Sequence, residues 1–153
     1  AIRLLANRMD AEDVLQEAFV AAFRNIGDFR ESSTFGAWLR RIVINRCINF
    51  LKSRRQFFAD LEPDPDFFSD GEWEQADHSY DPETIHAAVK SLPDGARTVF
   101  TLFLLEEYRH HEIAALLDIS ESTSKSQYQR AKILLKEKLM HEEQIRTVPG
   151  TTA

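Results

Sequence analysis

Residues 35–55 read FGAWLRRIVINRCINFLKSRR, and their periodicity decides the fold class of this 153-residue chain. Beyond Gly36 the stretch holds neither glycine nor proline. Phe35, Leu39, Ile42, Val43, Cys47 and Phe50 recur at helical spacing and predict one apolar stripe facing a core. Arg41, Asn45, Lys52 and Arg55 share a different face, with Ile48 the one apolar residue among them. Between Arg24 and Arg55, eight Lys/Arg stand against Asp28 and Glu31 alone. Cations neutralise phosphates and amide side chains pair with base edges, so such a helix suits nucleic acid. A solvated basic face on an ordinary core helix would give the same pattern. The neighbouring segments separate the two.

Upstream, the spacing predicts a helix from about Asp10 to Ile26, with Asp10 as N-cap and Glu12 and Asp13 in the dipole-favoured first turn. Val14, Leu15, Ala18, Phe19, Ala22, Phe23 and Ile26 form its expected core stripe. Glu12, Asp13, Gln16 and Glu17 lie opposite, either as a solvated face or as a docking surface for a basic partner. Residues 27–34, GDFRESST, carry turn chemistry. Phe29 in that loop either folds back on the core or offers a surface to an unstacked base, with Arg30 beside it.

Downstream, the character changes. Residues 56–89 contain ten Asp/Glu and no Lys or Arg, a charge of −10 inside a chain whose net charge is −6. The rest therefore carries +4, and the acidic average conceals two basic blocks. Residues 56–80, with PDPDFF and DGEWEQ, read as a linker that could span at most about 80–90 Å when extended. Its Phe57, Phe58, Phe67, Phe68 and Trp73 are more aromatic than an inert spacer needs.

Helical patterns resume at Asp81. DPETIHAAVKSL ends near Leu92, and Pro93 opens a segment whose Val99, Phe100, Leu102, Phe103, Leu104 and Leu105 predict the central helix of a small bundle. A short helix through Leu117 follows, with Ile113, Ala114 and Leu117 inward, then the turn Asp118-Ile119-Ser120. Ser120 caps a longer helix to about Leu139. This is helix-turn-helix spacing, and Ser122, Thr123, Lys125, Ser126, Gln127, Gln129 and Arg130 occupy the half that enters a major groove. A plain helical hairpin is the alternative. Asp118 stands where glycine is usual, and Ser124 where an apolar anchor would be, leaving Tyr128, Ala131 and Leu135 to hold the second helix. Residues 141–153 read as a flexible tail.

Catalytic chemistry finds no support in the residues. There is no Gly-rich phosphate loop, no nucleophile elbow and no calcium-loop spacing. His110, His111 and Glu112 are consecutive, so a helix turns them to different faces, and no metal site is expected. No cofactor is implied. The single cysteine, Cys47, excludes an internal disulfide and suits a reducing cytoplasm, as a buried inert thiol. No apolar run is long enough to cross a bilayer, and no signal peptide is visible. The opening AIRLL lacks Met and reads as the middle of a helix, an expectation that the natural start is missing.

Taken together, DAEDVLQEAFVAAFRNI, FRESSTFGAWLRRIVINRCINFLKSRR and SLPDGARTVFTLFLLEEYRHHEIAALLDISESTSKSQYQRAKILLKEKL resemble a bacterial RNA polymerase sigma factor of the sigma-70 family. The likeness is to the compact extracytoplasmic-function (ECF) group, which keeps only regions 2 and 4. It covers residues 3–55 and 81–139 in the right order. It implies an all-α protein of two small helical domains: region 2 over 1–55, the acidic linker over 56–80, and region 4 over 81–140.

The resemblance also distributes roles. Asp10, Asp13, Gln16, Glu17 and Phe19 match the part that docks on the β′ clamp helices of core RNA polymerase, and region 4 would meet the β flap. Phe29, Arg30, Trp38, Arg41, Asn45 and Asn49 match the parts that melt and read the −10 element, with Lys52 and Arg55 on phosphates. Ser122, Thr123, Lys125, Ser126, Gln127, Gln129 and Arg130 match the recognition helix for the −35 element. The linker would thread toward the active-site and RNA-exit channels. Promoter DNA and an anti-sigma factor complete the implied partners. Ser124, Gln127 and Tyr128 replace the usual Val, Arg and Leu, which implies weaker −35 contacts. Two other readings stay open: a helix-turn-helix regulator working without polymerase, and a sigma-like interaction protein that no longer reads DNA.

Overall fold

The computed structural model describes residues 1–30, 32–54, 57, 59, 61 and 80–147, the last two by backbone only. Among these residues every regular element is helical, with no strand. The chain divides into two compact units, Ala1–Asp60 and Leu61–Ala153. The linker expectation falls mostly on residues outside those described, as does Arg55.

The first unit opens with α1 (Ile2–Leu5) and α2 (Arg8–Arg24), closes a single 3-10 turn at Ile26–Asp28, and continues into α3 (Phe35–Lys52). The start of α2 differs from the sequence expectation. Asn7, not Asp10, is the N-cap, and its side-chain oxygen accepts from the amides of Met9 and Asp10 at 2.9 and 3.2 Å. Asp10 is thereby left inside the first turn, where its carboxylate pairs with Arg54. Thr34 caps α3 by accepting from the Ala37 amide at 3.2 Å.

The buried face of α2 is Ala11, Val14, Ala18, Ala21 and Ala22. Alanine at the contact lets α3 approach closely, and α3 answers with Ile44, Cys47, Ile48 and Leu51, all buried. The stripe expected on α2 is therefore corrected. Phe19, Phe23 and Ile26 are exposed, at 46%, 74% and 52%, because the small residues one step around the helix take the core. On α3 the buried seam likewise sits one position from the expected stripe. Ile48 is in the core rather than on the cationic face, and Phe35 is exposed. Cys47 is buried, as expected of an inert thiol.

The second unit contains α4 (Pro82–Lys90), α5 (Asp94–Phe100), a π-helical continuation at Thr101–Leu105, α6 (His110–Leu117) and α7 (Glu121–Thr147). Asp81 precedes Pro82 at the first helical position of α4, where a proline loses no hydrogen bond. The expected central helix is α5 with its wider continuation, and Leu104 there is exposed rather than inward. Ala88, Val89, Leu92, Ala96, Phe100, Ala131 and Leu135 form one core cluster, with Tyr128 packed against it. Tyr128, Ala131 and Leu135 thus do hold α7. The helix runs on through Thr147, past the expected end near Leu139, since HEEQ continues it with residues that lose little rotamer freedom in a helix.

Candidate nucleic-acid and partner interface

The α2–α3 packing leaves a long face of α3 in solvent. Arg41, Asn45 and Asn49 are exposed at i, i+4 and i+8, and half-buried Trp38 and Lys52 extend the same line at its two ends. Arg30 is exposed in the loop before it. Phe29 folds back from that loop onto the start of α3. Its ring centroid lies 5.4 Å from Trp38 and 5.7 Å from Phe35, while Phe35 and Trp38 are 5.7 Å apart. Three aromatic rings thus meet at one end of a cationic, amide-bearing helix face. The packed-back option for Phe29 is the one the geometry matches, and the three rings form an aromatic surface with Phe35 exposed. Phe35 is a member that sequence reasoning placed in the core. Such a platform can stack an unpaired base while Arg and Lys hold the flanking phosphates.

On α2, Asp13, Gln16 and Glu17 are exposed. Phe19, Val20 and Phe23 are exposed too, and helical spacing sets Asp13, Gln16, Phe19, Val20 and Phe23 on neighbouring rows of one surface. Val20 and Phe23 were not among the expected docking residues. Their signal was the run of alanines, which left the bulky residues without a place inside. Asp10 differs from the others, because its carboxylate is engaged by Arg54 within the unit. Arg54 also lies over the Phe50 ring, 4.9 Å from its centroid.

The α6–α7 pair has the geometry of a helix-turn-helix. Asp118 closes α6 in the left-handed region, φ 57° and ψ 49°, and the Ile119 amide donates back to the Ala114 carbonyl at 3.0 Å. That is the wrap-around helix end for which glycine is usual, here made with Asp. Ile113, Ala114 and Leu117 are buried as expected, while Ile119 is half-buried. Ser120 caps α7, its Oγ accepting from the Thr123 amide at 3.0 Å.

Not every expected −35 residue faces solvent. Ser122 and Lys125 are exposed, and Thr123, Gln129 and Arg130 are half-buried. Ser126 and Gln127 are buried at 6% and 1%, so they pack α7 instead of presenting to a groove. The Ser126 hydroxyl donates to the Thr123 carbonyl at 2.9 Å. Ser122, Lys125, Gln129, Lys132 and Lys136 recur at i, i+3, i+7, i+10 and i+14, so the exposed and half-buried polar residues run along one side of the helix. Lys125 pairs with Glu121 at 3.1 Å, and this partner holds the exposed Glu121 carboxyl below the usual carboxylate range.

Ser124, where an apolar anchor was expected, is fully buried and does face inward. It is satisfied by His110 of α6, whose Nδ1 lies 2.9 Å from its Oγ. The His110 ring stacks on Phe103 at 4.4 Å and sits 5.8 Å from the Tyr128 ring. Burial, assisted by Lys125, holds the His110 pKa below its ordinary value. Burial pushes the Tyr128 phenol up. Among the described residues no group of His, Cys, Asp and Glu could hold a metal ion, and no helix is long and apolar enough to cross a membrane.

Comparison with known proteins agrees with this division. Residues 1–57 match the family model for sigma-70 region 2, and residues 83–135 match that for sigma-70 region 4. The RNA polymerase sigma-H factor of Pseudomonas aeruginosa is 33% identical over 146 residues, covering 86% of this chain and 74% of the relative. The ECF RNA polymerase sigma factor SigW of Bacillus subtilis is 32% identical over 148 residues, covering 90% and 79%. A solved structure of the sigma factor RpoE in complex with the anti-sigma factor NepR from Bartonella quintana shares the fold. Its TM-score is 0.57 at 24% identity, over 91% of this chain and 86% of that one. With a helical first unit carrying region 2 and a helix-turn-helix unit carrying region 4, this chain is a member of the sigma-70 family, of the ECF group, and a transcription initiation factor.

Proposed function

We propose that the chain joins core RNA polymerase through the exposed α2 surface and directs it to promoters with two readers. Asp13, Gln16, Glu17 and Phe19 make the contact with the β′ clamp helices, Val20 and Phe23 extend it, and Asp10 supports it from the side through its pair with Arg54. The α3 face of Arg41, Asn45, Asn49 and Lys52, with Arg30 and the Phe29–Phe35–Trp38 platform, opens the −10 element and captures a base from it. Ser122, Thr123, Lys125, Gln129 and Arg130 read the −35 element in duplex form, Ser126 and Gln127 hold their helix, and the second unit rests on the β flap. Such a factor performs no catalysis of its own, works in the cytoplasm, and is a natural target for an anti-sigma factor covering the same surfaces.

The observation that carries this reading is the aromatic platform at the head of the cationic α3 face. Clustered rings are the surface on which an unstacked base can stack, as single-strand binders commonly provide. The test uses the full chain with core RNA polymerase on promoter DNA carrying 2-aminopurine at successive positions of the −10 element. Fluorescence should rise on binding at one or two positions, and Trp38→Ala should abolish the rise while leaving polymerase binding intact. An unchanged rise in Trp38→Ala would refute the platform.

A further inference from the structure

The two helices of the helix-turn-helix are joined by a part-buried polar contact, and one of its partners is titratable. His110 is the first residue of α6, Ser124 sits one turn into α7, and the Nδ1–Oγ bond of 2.9 Å ties the helices at the entrance to the reading face. Ser124 has no exposure, so water cannot replace the bond if it breaks. Phe103 covers the imidazole from the π-helical stretch at 4.4 Å, and Tyr128 of α7 closes its edge at 5.8 Å. An apolar residue at position 124 would hold α7 whatever the pH, whereas here its partner is a side chain that titrates.

We propose that His110 is the positioning residue of the recognition helix, and that its protonation releases the first turns of α7 so that engagement of duplex DNA weakens on acidification. The charged form is disfavoured where it stands. Lys125 faces the ring from α7 and opposes a positive charge, while Glu121 of the same helix favours it, with the smaller effect. Tyr128 is the other titratable group on that side, and its phenol stays neutral because burial raises its pKa. The π-helical stretch Thr101–Leu105 brings no titratable side chain. Beside the ring, Arg109 is the N-cap of α6, His111 is exposed, and Glu112 is committed to the Arg109 amide at 2.8 Å. A cation at the first position of a helix also meets the positive end of its dipole.

The sign follows from linkage. His110 has a folded pKa below its ordinary value, so the packed arrangement binds fewer protons than the released one. Its contribution is complete above the free value of about 6.5 and is lost as pH falls toward the folded pKa. Over that window each pH unit shifts the packed–released equilibrium by up to about tenfold. Simple electrostatics predicts the opposite for DNA, since acidification makes the protein more cationic and phosphate binding stronger.

The effect on DNA rests on α7 being the duplex reader, so the test examines the helix without DNA or polymerase. In the full chain, amide exchange of residues 121–130 is followed from pH 7.5 to 5, with residues 136–145 of the same helix as internal reference. NMR titration of the His110 ring runs alongside. The expected result is a fall in protection of 121–130 by up to about tenfold per pH unit, tracking a His110 midpoint below the free value of about 6.5. The double variant His110→Phe/Ser124→Val should keep protection flat across the range. The proposal is overturned if His110 titrates at or above the free value of about 6.5, if protection of 121–130 is independent of pH, or if the double variant keeps the dependence. Should that variant not fold, the wild-type titration and exchange decide the matter alone. Failure of this test leaves the sigma reading standing, because neither measurement involves the promoter.

Discussion

Phe23→Ser separates docking from folding on α2. Phe23 is 74% exposed, so of the roughly 200 Å² a phenylalanine carries, about 150 Å² is available to a partner. At about 25 cal/mol per Å² the upper bound is between 3 and 4 kcal/mol. Association converts area at less than this rate, because side chains are ordered and neighbouring polar groups lose water. The expected loss is about 2 kcal/mol, or roughly thirtyfold in the affinity for core RNA polymerase. The same substitution removes only about 50 Å² from the core of the unit, about 1 kcal/mol, so the thermal midpoint should move by a few degrees. Phe19→Ser inverts the balance, since at 46% exposure about half of the ring is buried, and its stability cost should be about 2–3 kcal/mol. The assay is fluorescence anisotropy of the labelled full chain titrated with core polymerase, paired with a thermal melt of each variant. Unchanged affinity for a folded Phe23→Ser protein would remove the exposed α2 face from the interface. A Phe23→Ser protein that fails to fold would contradict the burial pattern itself.

Other substitutions test the remaining parts. Lys125→Ala should weaken duplex binding on all sequences and lower the salt dependence of log affinity by about one, whereas Gln127→Ala should cost stability, by about 1–3 kcal/mol, because its amide is buried. Salt titrations and melts of both variants check this, and a salt effect from Gln127→Ala would contradict the assignment. Asp10→Asn and Arg54→Gln should each destabilise the first unit by no more than about 1 kcal/mol, since both side chains remain about a third exposed. A double-mutant cycle on denaturant unfolding should return a coupling of about 0.5–1 kcal/mol, and a coupling of zero would dismiss the pair. Asp118→Gly should stabilise the second unit by up to about 1 kcal/mol by relieving the left-handed backbone, read as a higher thermal midpoint.

The order of the segments and the helix-turn-helix register were legible because each rests on local signals: apolar spacing, Pro82 at a helix start, Ser120 as a cap. The side of each helix that turns inward was harder. In α2 hydrophobicity alone favours Phe19 and Phe23, but close packing of two helices rewards alanine, and the bulky residues were displaced outward. The same rotation moved Ile48 into the core of the first unit and Phe35 out of it. Asn7 outcompeted Asp10 as a cap for a reason invisible in one dimension, since Asp10 has a partner 44 positions away in Arg54. On α7 the spacing already set Ser124 at an anchor position, but Ser126 and Gln127, read as part of the groove-facing half, are buried as well, and polarity alone gave no sign of it.

Run-off transcription tests the central claim most directly. Core RNA polymerase is combined with the full chain, or with the Asp13→Lys/Gln16→Ala variant, on a pool of promoter fragments. Both substituted side chains are exposed, so the variant should keep the fold and alter only the proposed docking surface. The account predicts transcripts from a subset of fragments with the wild-type chain and their loss with the variant. Absence of any transcript while the wild-type chain is bound to core polymerase would contradict it.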